Sequence, residues 1–442
     1  MVKSIVGTGG FVVVMVLAAL IAGTIGGSIE RTLVVFFISL IAVLGMGVYS
    51  GNSGILSFGH LGFMGLGAYL SGILTMPIAM KQMTLANLPP FLATAHFDLL
   101  GATVIAVIFV MVVALVVGIV ISKLEGSAAT ITTLGLLVIV HGIIIGARDF
   151  TRGSQSFFGV PRVTDLTVAA ICAVLAIIVA RFYKDSVFGL KLRASRDDQL
   201  AAGAMGVNVR RERLLSWVIS AGIVAVAGVL IGHFLGAFSV KKFYFVDTFA
   251  LLAMLIVGGM ATVTGALAGA TLITLVTEIL RRVEGGIEIF GFQTPQLFGT
   301  TQIGIGLIIL LAMAKRSDGL FDRLEWDEAL LGGWFAKKEK IVGDAPPEHK
   351  PVPEGSLQAS SITKFFGGLK ALDQVSLALA NREIVGLIGP NGSGKTTLLN
   401  VLSGVLPASE GETLVDSQDV STMTSHQLAG LGIGRTFQNI RL

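Results

Sequence analysis

The sequence predicts a polytopic α-helical membrane domain rich in glycine, followed by an α/β domain with a phosphate-binding loop. Hydrophobic residues make up 53% of the chain and charged residues only 14%, whereas soluble chains carry about 25% charged residues. The second observation is the pattern Gly-x4-Gly-Lys-Thr at residues 389–396, which lies in a polar region behind the apolar one. The sequence therefore predicts a membrane domain first and an α/β domain with a phosphate-binding loop second.

Composition also excludes several classes of site. The 56 glycines exceed what ordinary membrane helices contain, so we expect close helix packing and broken or re-entrant segments. Cys172 is the only cysteine, which excludes a disulfide within the chain and all cysteine-based metal patterns; we expect it to pack in the core. Basic loops beside apolar runs explain the net charge of +4, and we predict no nucleic-acid partner.

About ten apolar stretches cross or nearly cross the roughly 30 Å of bilayer hydrocarbon. They cover residues 11–27, 32–50, 60–80, 98–122, 128–147, 166–183, 214–238, 248–260, 262–281 and 298–314. The stretch 248–260 is short, and Gly258-Gly259 marks either a re-entrant turn or a tight loop, so nine spans are the alternative. Residues 1–27 also fit a signal peptide; we expect an uncleaved first helix, because no small-x-small site precedes a soluble domain.

The most basic connection, residues 184–213, sets the orientation. The positive-inside rule places it in the cytoplasm, and counting outward through ten spans puts both termini there as well. A nucleotide-binding tail has to lie on that side. We therefore expect a multi-pass protein of the inner (plasma) membrane, in contact with lipid.

Composition changes divide the chain into a membrane domain at 1–314, a linker at 315–356 and a second domain at 357–442. The linker is charged and then rich in proline. Its apolar residues recur at near-helical spacing, which fits either a helix on the membrane surface or a short packing helix; they are Leu320, Phe321, Leu324, Leu331, Trp334 and Phe335. Residues 384–388 are predicted to form a buried strand that leads into the glycine loop.

The glycine loop has the chemistry of a phosphate site. Glycines let successive backbone N–H groups turn towards phosphate oxygens, and the following helix directs its positive end at the same anion. Lys395 would reach the β- and γ-phosphates, and the Thr396 hydroxyl would bind Mg²⁺. The predicted nucleotide-contacting residues are Gly389, Pro390, Asn391, Gly392, Ser393, Gly394, Lys395, Thr396 and Thr397.

Three stretches resemble the ATP-binding subunits of ABC transporters, and specifically those of branched-chain amino-acid importers. They are residues 362–372 (ITKFFGGLKAL), 383–399 (EIVGLIGPNGSGKTTLL) and 432–438 (GIGRTFQ). The resemblance implies that the ligands are ATP and Mg²⁺. It also implies that Phe366 stacks on adenine, and that Gln438 senses Mg²⁺ and the γ-phosphate beside the permease contact.

The sequence does not contain the LSGGQ-type signature, the Walker B strand or the switch histidine of that family. We therefore expect a truncated ABC ATPase domain that does not hydrolyse ATP by itself, because phosphoryl transfer needs a full set of charge-stabilising groups. An incomplete gene, a frameshift or a truncated chain would explain this.

The membrane half resembles the permease subunits of the same importers. The matching stretches are residues 51–69 (GNSGILSFGHLGFMGLGAY), 151–162 (TRGSQSFFGVPR), 188–207 (beginning FGLKLRASRDDQ) and 258–269 (GGMATVTGALAG). Residues 189–207 combine charges with small apolar residues, as a coupling element should. The resemblance implies that this loop docks on an ATPase domain near the glutamine loop; a merely solvated basic loop is the alternative.

Several polar residues fall in or beside apolar segments, where they are functional candidates by default. For His60 and His141 we expect hydrogen bonds to neighbouring helices. Glu278 and Arg281 are spaced to pair on one helix. The repeat Gly265-x3-Gly269 is interpreted as a packing face.

Together the two resemblances imply a fused permease and ATP-binding subunit that drives uptake of branched-chain or other hydrophobic amino acids. Its implied partners are a second permease subunit, a second ATP-binding subunit and an extracytoplasmic amino-acid-binding protein. Two alternatives stay open: a non-hydrolysing membrane subunit whose tail only docks or binds nucleotide, and an exporter half-transporter.

Overall fold

The computed structural model describes residues 2–25, 27–285, 288–289, 292–293, 298–315, 319–321, 324–328 and 355–436. The chain forms two compact units. The first comprises residues 1–190 and 210–337, and the second comprises residues 191–209 and 338–442. The segment 191–209, which the sequence groups with the membrane domain, thus belongs to the second unit.

Helices form the first unit and the segment that follows α9. They are α1 Val2–Ile25, α2 Gly27–Ser53, α3 His60–Thr75, α4 Ile78–Thr84, α5 Pro90–Thr94, α6 Leu99–Ile121, α7 Gly126–Gly146, α8 Arg148–Thr151, α9 Leu166–Asp185, α10 Val187–Asp197, α11 Gln199–Ala204, α12 Val209–Leu235, α13 Phe245–Gly258, α14 Val263–Glu284 and α15 Thr300–Lys315. Two short antiparallel strand pairs join them: β1 Phe157–Phe158 with β2 Ala237–Phe238, and β3 Glu288–Ile289 with β4 Phe292–Gln293.

The polytopic helical fold is confirmed. Among the residues that the structure describes, six helices (α2, α6, α7, α9, α12 and α14) are long and apolar enough to cross a membrane, and a seventh span results if α3 and α4, bent by 118°, count as one. The remaining predicted segments correspond to α1, α13 and α15. Of these, α13 has only 14 residues, in line with the short stretch recognised in the sequence.

Side chains in the sequence mark where several helices begin. Asp98 accepts a hydrogen bond from the Gly101 N–H at the start of α6, and Asp165 does the same for the Val168 N–H at the start of α9. These caps satisfy N–H groups that have no partner within the helix. They fix the helix ends where an apolar pattern alone leaves them undefined.

Glycines bring α13 and α14 into backbone contact. A Cβ atom added to Gly269 would overlap the carbonyl oxygen of Met254, and one added to Gly258 would overlap that of Gly265. Gly259, with φ of +111°, ends α13 in a conformation that favours glycine. The packing role predicted for the Gly265-x3-Gly269 repeat is confirmed, and Gly258-Gly259 forms a short turn between two helices.

The acidic residue Glu325 anchors the start of α14. Its carboxylate accepts hydrogen bonds from the backbone N–H groups of Val263 and Thr264, each at 2.9 Å, and from the Thr264 hydroxyl at 2.6 Å. A carboxylate at a helix N-terminus satisfies free N–H groups and complements the helix dipole. Glu325 is 1% exposed, so this anchor is buried.

The same carboxylate holds two cations from the end of α9. Lys184 Nζ lies 2.5 Å and Arg181 Nη1 lies 3.2 Å from Glu325 Oε1. Arg181 also contacts Asp327 at 3.1 Å and Asp185 at 3.0 Å. We call Arg181, Lys184, Glu325 and Asp327 the ion cluster; it joins the segment after α15 to α9 and α14.

The described part of the predicted linker helix packs differently from the expectation. Its backbone forms hydrogen bonds with the C-terminal end of α13: the Leu320 N–H donates to Val257 O, and the Phe321 N–H donates to Gly258 O. Glu325 and Asp327 are buried, whereas the side chains of Leu320, Phe321 and Leu324 stay exposed. Backbone hydrogen bonds and buried charge pairs attach this segment, together with Trp326, which packs against the core edge-on to Phe11. The predicted members Leu331, Trp334 and Phe335 lie outside the described residues.

The second unit contains a four-stranded antiparallel sheet in the order β6-β5-β7-β8. Its strands and helices are β5 Leu357–Phe366, β6 Leu369–Leu379, α16 Lys395–Leu402, β7 Glu410–Val415, β8 Gln418–Asp419 and α17 Ser425–Gly430. Ile362, Leu372 and Leu398 form the centre of its core. The core therefore fastens α16 to β5 and β6.

The strand predicted at residues 384–388 is wrong in this structure. The segment has no strand hydrogen bonding, and Ile384 and Ile388 are 98% and 92% exposed. A strand forms only when its backbone groups pair with a neighbouring strand. Within residues 355–436 no strand lies beside this segment, so its apolar side chains alone do not make it one.

The glycine contact between α13 and α14 predicts that alanine, normally the better helix former, is less stable than glycine at this position. Gly269→Ala should destabilise the protein by about 1–3 kcal/mol, because the added methyl group overlaps a backbone oxygen that has to move. Thermal unfolding in detergent measures this. The control is Gly142→Ala in α7, where nothing lies within 4 Å of the new atom and alanine should be neutral or stabilising; equal effects of the two substitutions would contradict the packing interpretation.

The ion cluster predicts a pH-dependent contribution from Glu325. Burial by itself would raise the pKa of Glu325, but the Lys184 ammonium, the Thr264 hydroxyl and the Arg181 guanidinium outweigh burial and hold this pKa below its usual value. The resulting stabilisation is present above the unfolded pKa of about 4.3 and is lost as the pH falls through the lower folded value. Glu325→Gln should therefore cost about 3–5 kcal/mol at neutral pH, because it leaves buried cations without their anion.

Unfolding of both proteins is measured between pH 7 and pH 3. The difference between wild type and Glu325→Gln should shrink towards the acid end. A difference that is constant across this range would show that Glu325 does not act as a buried carboxylate.

Candidate nucleotide-binding site

The glycine loop packs against strand β6. A Cβ atom at Gly394 would lie 2.7 Å from the carbonyl oxygen of Ala371 and 2.9 Å from Leu372 Cδ2, and Gly394 has φ of +87°. Both facts require glycine at this position. The loop consequently lies directly against β6 and delivers the chain into α16, which begins at Lys395.

The loop itself is a tight, exposed turn. Ser393 N–H donates to Pro390 O at 3.3 Å, and Gly392, with φ of +86°, makes the reversal. Asn391, Gly392 and Ser393 are exposed, so the turn is accessible to a ligand at the start of a helix. This arrangement fits a phosphate group, which binds to backbone N–H groups and to the positive end of the helix dipole.

The Lys395 ammonium lies at the same end of α16. It donates to the carbonyl oxygens of Gly389 and Pro390, both at 2.7 Å, with Ser393 Oγ at 3.4 Å. These bonds hold the cation over its own loop. A phosphate bound at the loop would compete with those two carbonyl groups for the ammonium.

The remaining predicted residues lie at two places. Thr396 is exposed in the first turn of α16 and Thr397 is half-buried beside it. Phe366 lies at the end of β5, in the hairpin with β6, where its side chain is 46% exposed and Lys364 Nζ lies 5.5 Å from the ring centroid. Gln438 lies outside the described residues. The structure thus brings residues 389–397 together and leaves Phe366 accessible on the hairpin.

Sequence reasoning missed the residues of β6 that shape the loop. Ala371 and Leu372 contribute a carbonyl oxygen and a methyl group against Gly394. The alternation of apolar residues along β6 is their only sequence signal, and it predicts a strand without saying what the strand supports.

The predicted coupling segment forms two helices and packs within the second unit. Asp198 caps α11 by accepting hydrogen bonds from the N–H groups of Leu200 and Ala201, both at 2.9 Å. Helix α11 contacts α17, and Asn208 Nδ2 lies 3.2 Å from His426 Nε2. Gly203 approaches Ser425, with 3.9 Å between an added Cβ and the serine Cβ. This part of the loop is therefore packed against the domain that carries the glycine loop.

In the first unit, the hydrogen bond predicted for His60 is confirmed. Its Nδ1 lies 2.7 Å from Ser57 Oγ and its Nε2 lies 2.5 Å from Ser220 Oγ on α12. Ser220 donates to Gly45 O at 2.7 Å and can therefore accept from the imidazole. Both ring nitrogens are hydrogen-bonded inside the protein, which indicates a structural role.

The hydrogen bond predicted for His141 is wrong for the residues that the structure describes. Its buried Nδ1 has no hydrogen-bond partner among them, and the ring stacks on that of Tyr244 with centroids 3.9 Å apart. The pair predicted between Glu278 and Arg281 is confirmed at 2.8 Å, and Arg282 lies 3.3 Å from the same carboxylate. The charges of Glu278 and Arg281 line a cavity of the first unit.

Two family models match the chain. One is described as branched-chain amino acid transport system / permease component and matches residues 28–311. The other is described as ABC transporter and matches residues 372–442. The first covers most of the helical unit, and the second begins in β6 and includes the glycine loop.

Individual relatives match the C-terminal region. A probable branched-chain amino acid transport ATP-binding protein LivG of Archaeoglobus fulgidus is 45% identical over 82 residues, which are 19% of this chain and 32% of that protein. The high-affinity branched-chain amino acid transport ATP-binding proteins BraF of Pseudomonas aeruginosa and LivG of Escherichia coli are 41% and 43% identical over 86 residues, which are 20% of this chain and 34% of each relative. The chain spans about a third of the length of these curated relatives.

Among solved structures, a bacterial Atm1-family ABC exporter with ATP bound matches at a TM-score of 0.17 and 16% identity. The match covers 75% of this chain and 48% of the exporter. A score this low does not bear on the fold or on the direction of transport.

The geometry of the loop predicts that Lys395 contributes to nucleotide affinity. Lys395→Ala should weaken binding of a fluorescent ATP analogue roughly ten- to hundredfold, since a hydrogen bond to a charged group is worth about 1.5–3 kcal/mol. Lys370→Ala is the matched control, because Lys370 pairs with Asp373 on the surface. Equal affinities of the two variants would exclude the glycine loop as the phosphate site.

Proposed function

The chain belongs to the family of branched-chain amino acid transport permease components, and we propose that it is the fused permease and ATP-binding subunit of an importer for these or related hydrophobic amino acids. The observation that carries the proposal is the presence, in one chain, of the permease match at residues 28–311 and of a glycine loop at the start of α16. The ABC transporter match at residues 372–442 follows the permease match in the same chain, which supports a subunit that combines both activities.

The proposed nucleotide site uses ATP with Mg²⁺. The loop residues 389–394 would hold phosphate through their backbone N–H groups, Lys395 would neutralise phosphate charge, and Phe366 would stack on the adenine. Thr396 and Gln438 are the proposed Mg²⁺ contacts. The exposed hydroxyl of Thr396 in the first helical turn supports its part in this assignment.

Transport requires that nucleotide-dependent movement reaches the helices, and α11 is the proposed coupling element. Its contact with α17 lies on the domain that carries the glycine loop, and the chain continues from α11 directly into α12, a helix of spanning length. A displacement of α17 would thus be transmitted through α11 to the start of α12.

The proposed topology places the basic segment 184–213 and both termini in the cytoplasm of a cell with an inner (plasma) membrane. The proposed domains are a membrane domain at 1–314, a linker at 315–356 and an ATP-binding region from 357. A second permease subunit, a second ATP-binding subunit and an extracytoplasmic amino-acid-binding protein would complete the complex. ABC motors close their nucleotide sites between paired domains, so hydrolysis is assigned to the assembled complex.

The test is leucine uptake and ATP hydrolysis by the complete complex in proteoliposomes, with the chain in its natural full reading frame. Leucine and the binding protein should stimulate hydrolysis, and Lys395→Ala should abolish both the stimulation and the uptake. Activity that persists unchanged in Lys395→Ala would show that this loop is not the motor, and would favour a membrane subunit driven by separate ATPases.

The same vesicles test the coupling contact. Gly203→Phe should retain ATP hydrolysis but lose uptake, because Ser425 of α17 lies 3.9 Å from an added Cβ and a ring extending from that Cβ would push the two helices apart. Leu200→Phe is the matched control, since Leu200 lies on the same helix with its side chain 54% exposed. Normal uptake by Gly203→Phe would contradict the role of α11.

A further inference from the structure

The first unit contains a cavity that is separate from the residues of the proposed nucleotide site. Its volume is about 520 Å³, within the range of roughly 300–1,000 Å³ typical of small-molecule sites. Residues of α2, α3, α12, α13, α14 and α15 line it, and its wall includes Arg31, Lys242 and Arg281. Space of this size at a junction of six helices is a candidate binding site.

The cavity lies at one end of the helix bundle. Arg31 is near the beginning of α2, Asp247 is in the first turn of α13, and Arg281 is in the last turn of α14. Ser216, near the beginning of α12, bonds to Val48 near the end of α2, so the beginning of α12 lies at the opposite end of the bundle, and the proposed topology puts that beginning on the cytoplasmic side. In the proposed topology the cavity therefore faces the extracytoplasmic side.

The charges in the cavity wall leave one cation without a counterion. Lys242 pairs with Asp247 at 2.6 Å, and Arg281 pairs with Glu278 at 2.8 Å. Arg31 makes no ion pair with the residues that the structure describes. Three cations and two carboxylates thus leave a single positive charge, on a side chain whose planar fork of N–H donors matches a carboxylate.

The interior wall of the same cavity is apolar. Leu61, Met64, Ile231 and Met254 line it, and each is 7% exposed or less. Methionine side chains are flexible and adapt to ligands of different shape. The cavity therefore combines a charged end with an adaptable hydrophobic one.

We propose that this cavity binds the transported solute, and that the solute is an α-amino acid with an aliphatic side chain. Its carboxylate pairs with Arg31, its ammonium group lies near Asp247 and Glu278, and its side chain packs against Met64 and Met254. The inference rests on the proposed transport function and adds to it a place in the membrane unit where the solute is received. Acidic amino acids are excluded, because a second carboxylate would have to enter the apolar part without a partner.

The experiment measures binding directly, through protection of an introduced thiol. Ala250 lines the cavity and Cys172 is the sole native cysteine, so Ala250→Cys combined with Cys172→Ala gives one reporter. The complete complex in proteoliposomes is labelled with a charged maleimide, with and without leucine or glutamate. Leucine uptake by the same vesicles is measured in parallel.

Leucine should slow labelling several-fold and glutamate should not. Arg31→Met should raise the leucine concentration for half-maximal protection by about tenfold or more, the ratio expected for loss of a hydrogen bond to a charged group. Lys241→Met is the matched control, because Lys241 is exposed at the same end and does not line the cavity; it should leave protection unchanged.

Each result has a distinct meaning. If the vesicles take up leucine but leucine does not protect the thiol, or if Arg31→Met and Lys241→Met behave alike, the cavity assignment is overturned while the transport function stands. If leucine protects in an Arg31-dependent way but is not taken up, the cavity assignment holds and the transport function falls. Absence of both uptake and protection overturns the two together.

Discussion

The backbone contact between α13 and α14 is the constraint around which the first unit is arranged. Apolar attraction between helices gains little when the surroundings are themselves apolar, so close approach of the backbones has to supply the attraction. Gly258, Gly265 and Gly269 remove the side chains that would prevent it. This contact holds α13, which has only 14 residues, in a fixed position. Polar groups can therefore be placed reliably at both of its ends.

Two contrasting polar sites follow from that pair of helices. At the turn between α13 and α14, Glu325 binds the first N–H groups of α14 and the cations of α9, so every charge there is paired within the protein. At the other end, the first turn of α13 and the last turn of α14 border the cavity that contains Arg31. One end is therefore closed by ion pairs and the other is open to a charged ligand.

The second unit shows how the glycine loop depends on its neighbours. The conformation of Gly394 is set by the carbonyl oxygen of Ala371 in β6, and α16 is fixed by the core around Ile362 and Leu398. Helix α11 joins this unit although the helices α12 to α15 lie between it and the glycine loop in the chain. The contact between α11 and α17 is therefore a tertiary property that a linear division of the chain does not reveal.

The sequence by itself determined the helical membrane class, the order of the two parts, the position of the glycine loop, the Glu278–Arg281 pair and the packing role of the Gly265 repeat. These features depend on composition, periodicity or spacing within a few turns, which the chain carries locally. Only the tertiary structure decided that Glu325 and Asp327 attach the segment after α15, that residues 384–388 lack a strand partner, and that Arg31 shares a cavity with Met64 and Met254. Each of these depends on partners far apart in the chain, whose pairing is chosen by burial and charge in three dimensions and leaves no local pattern.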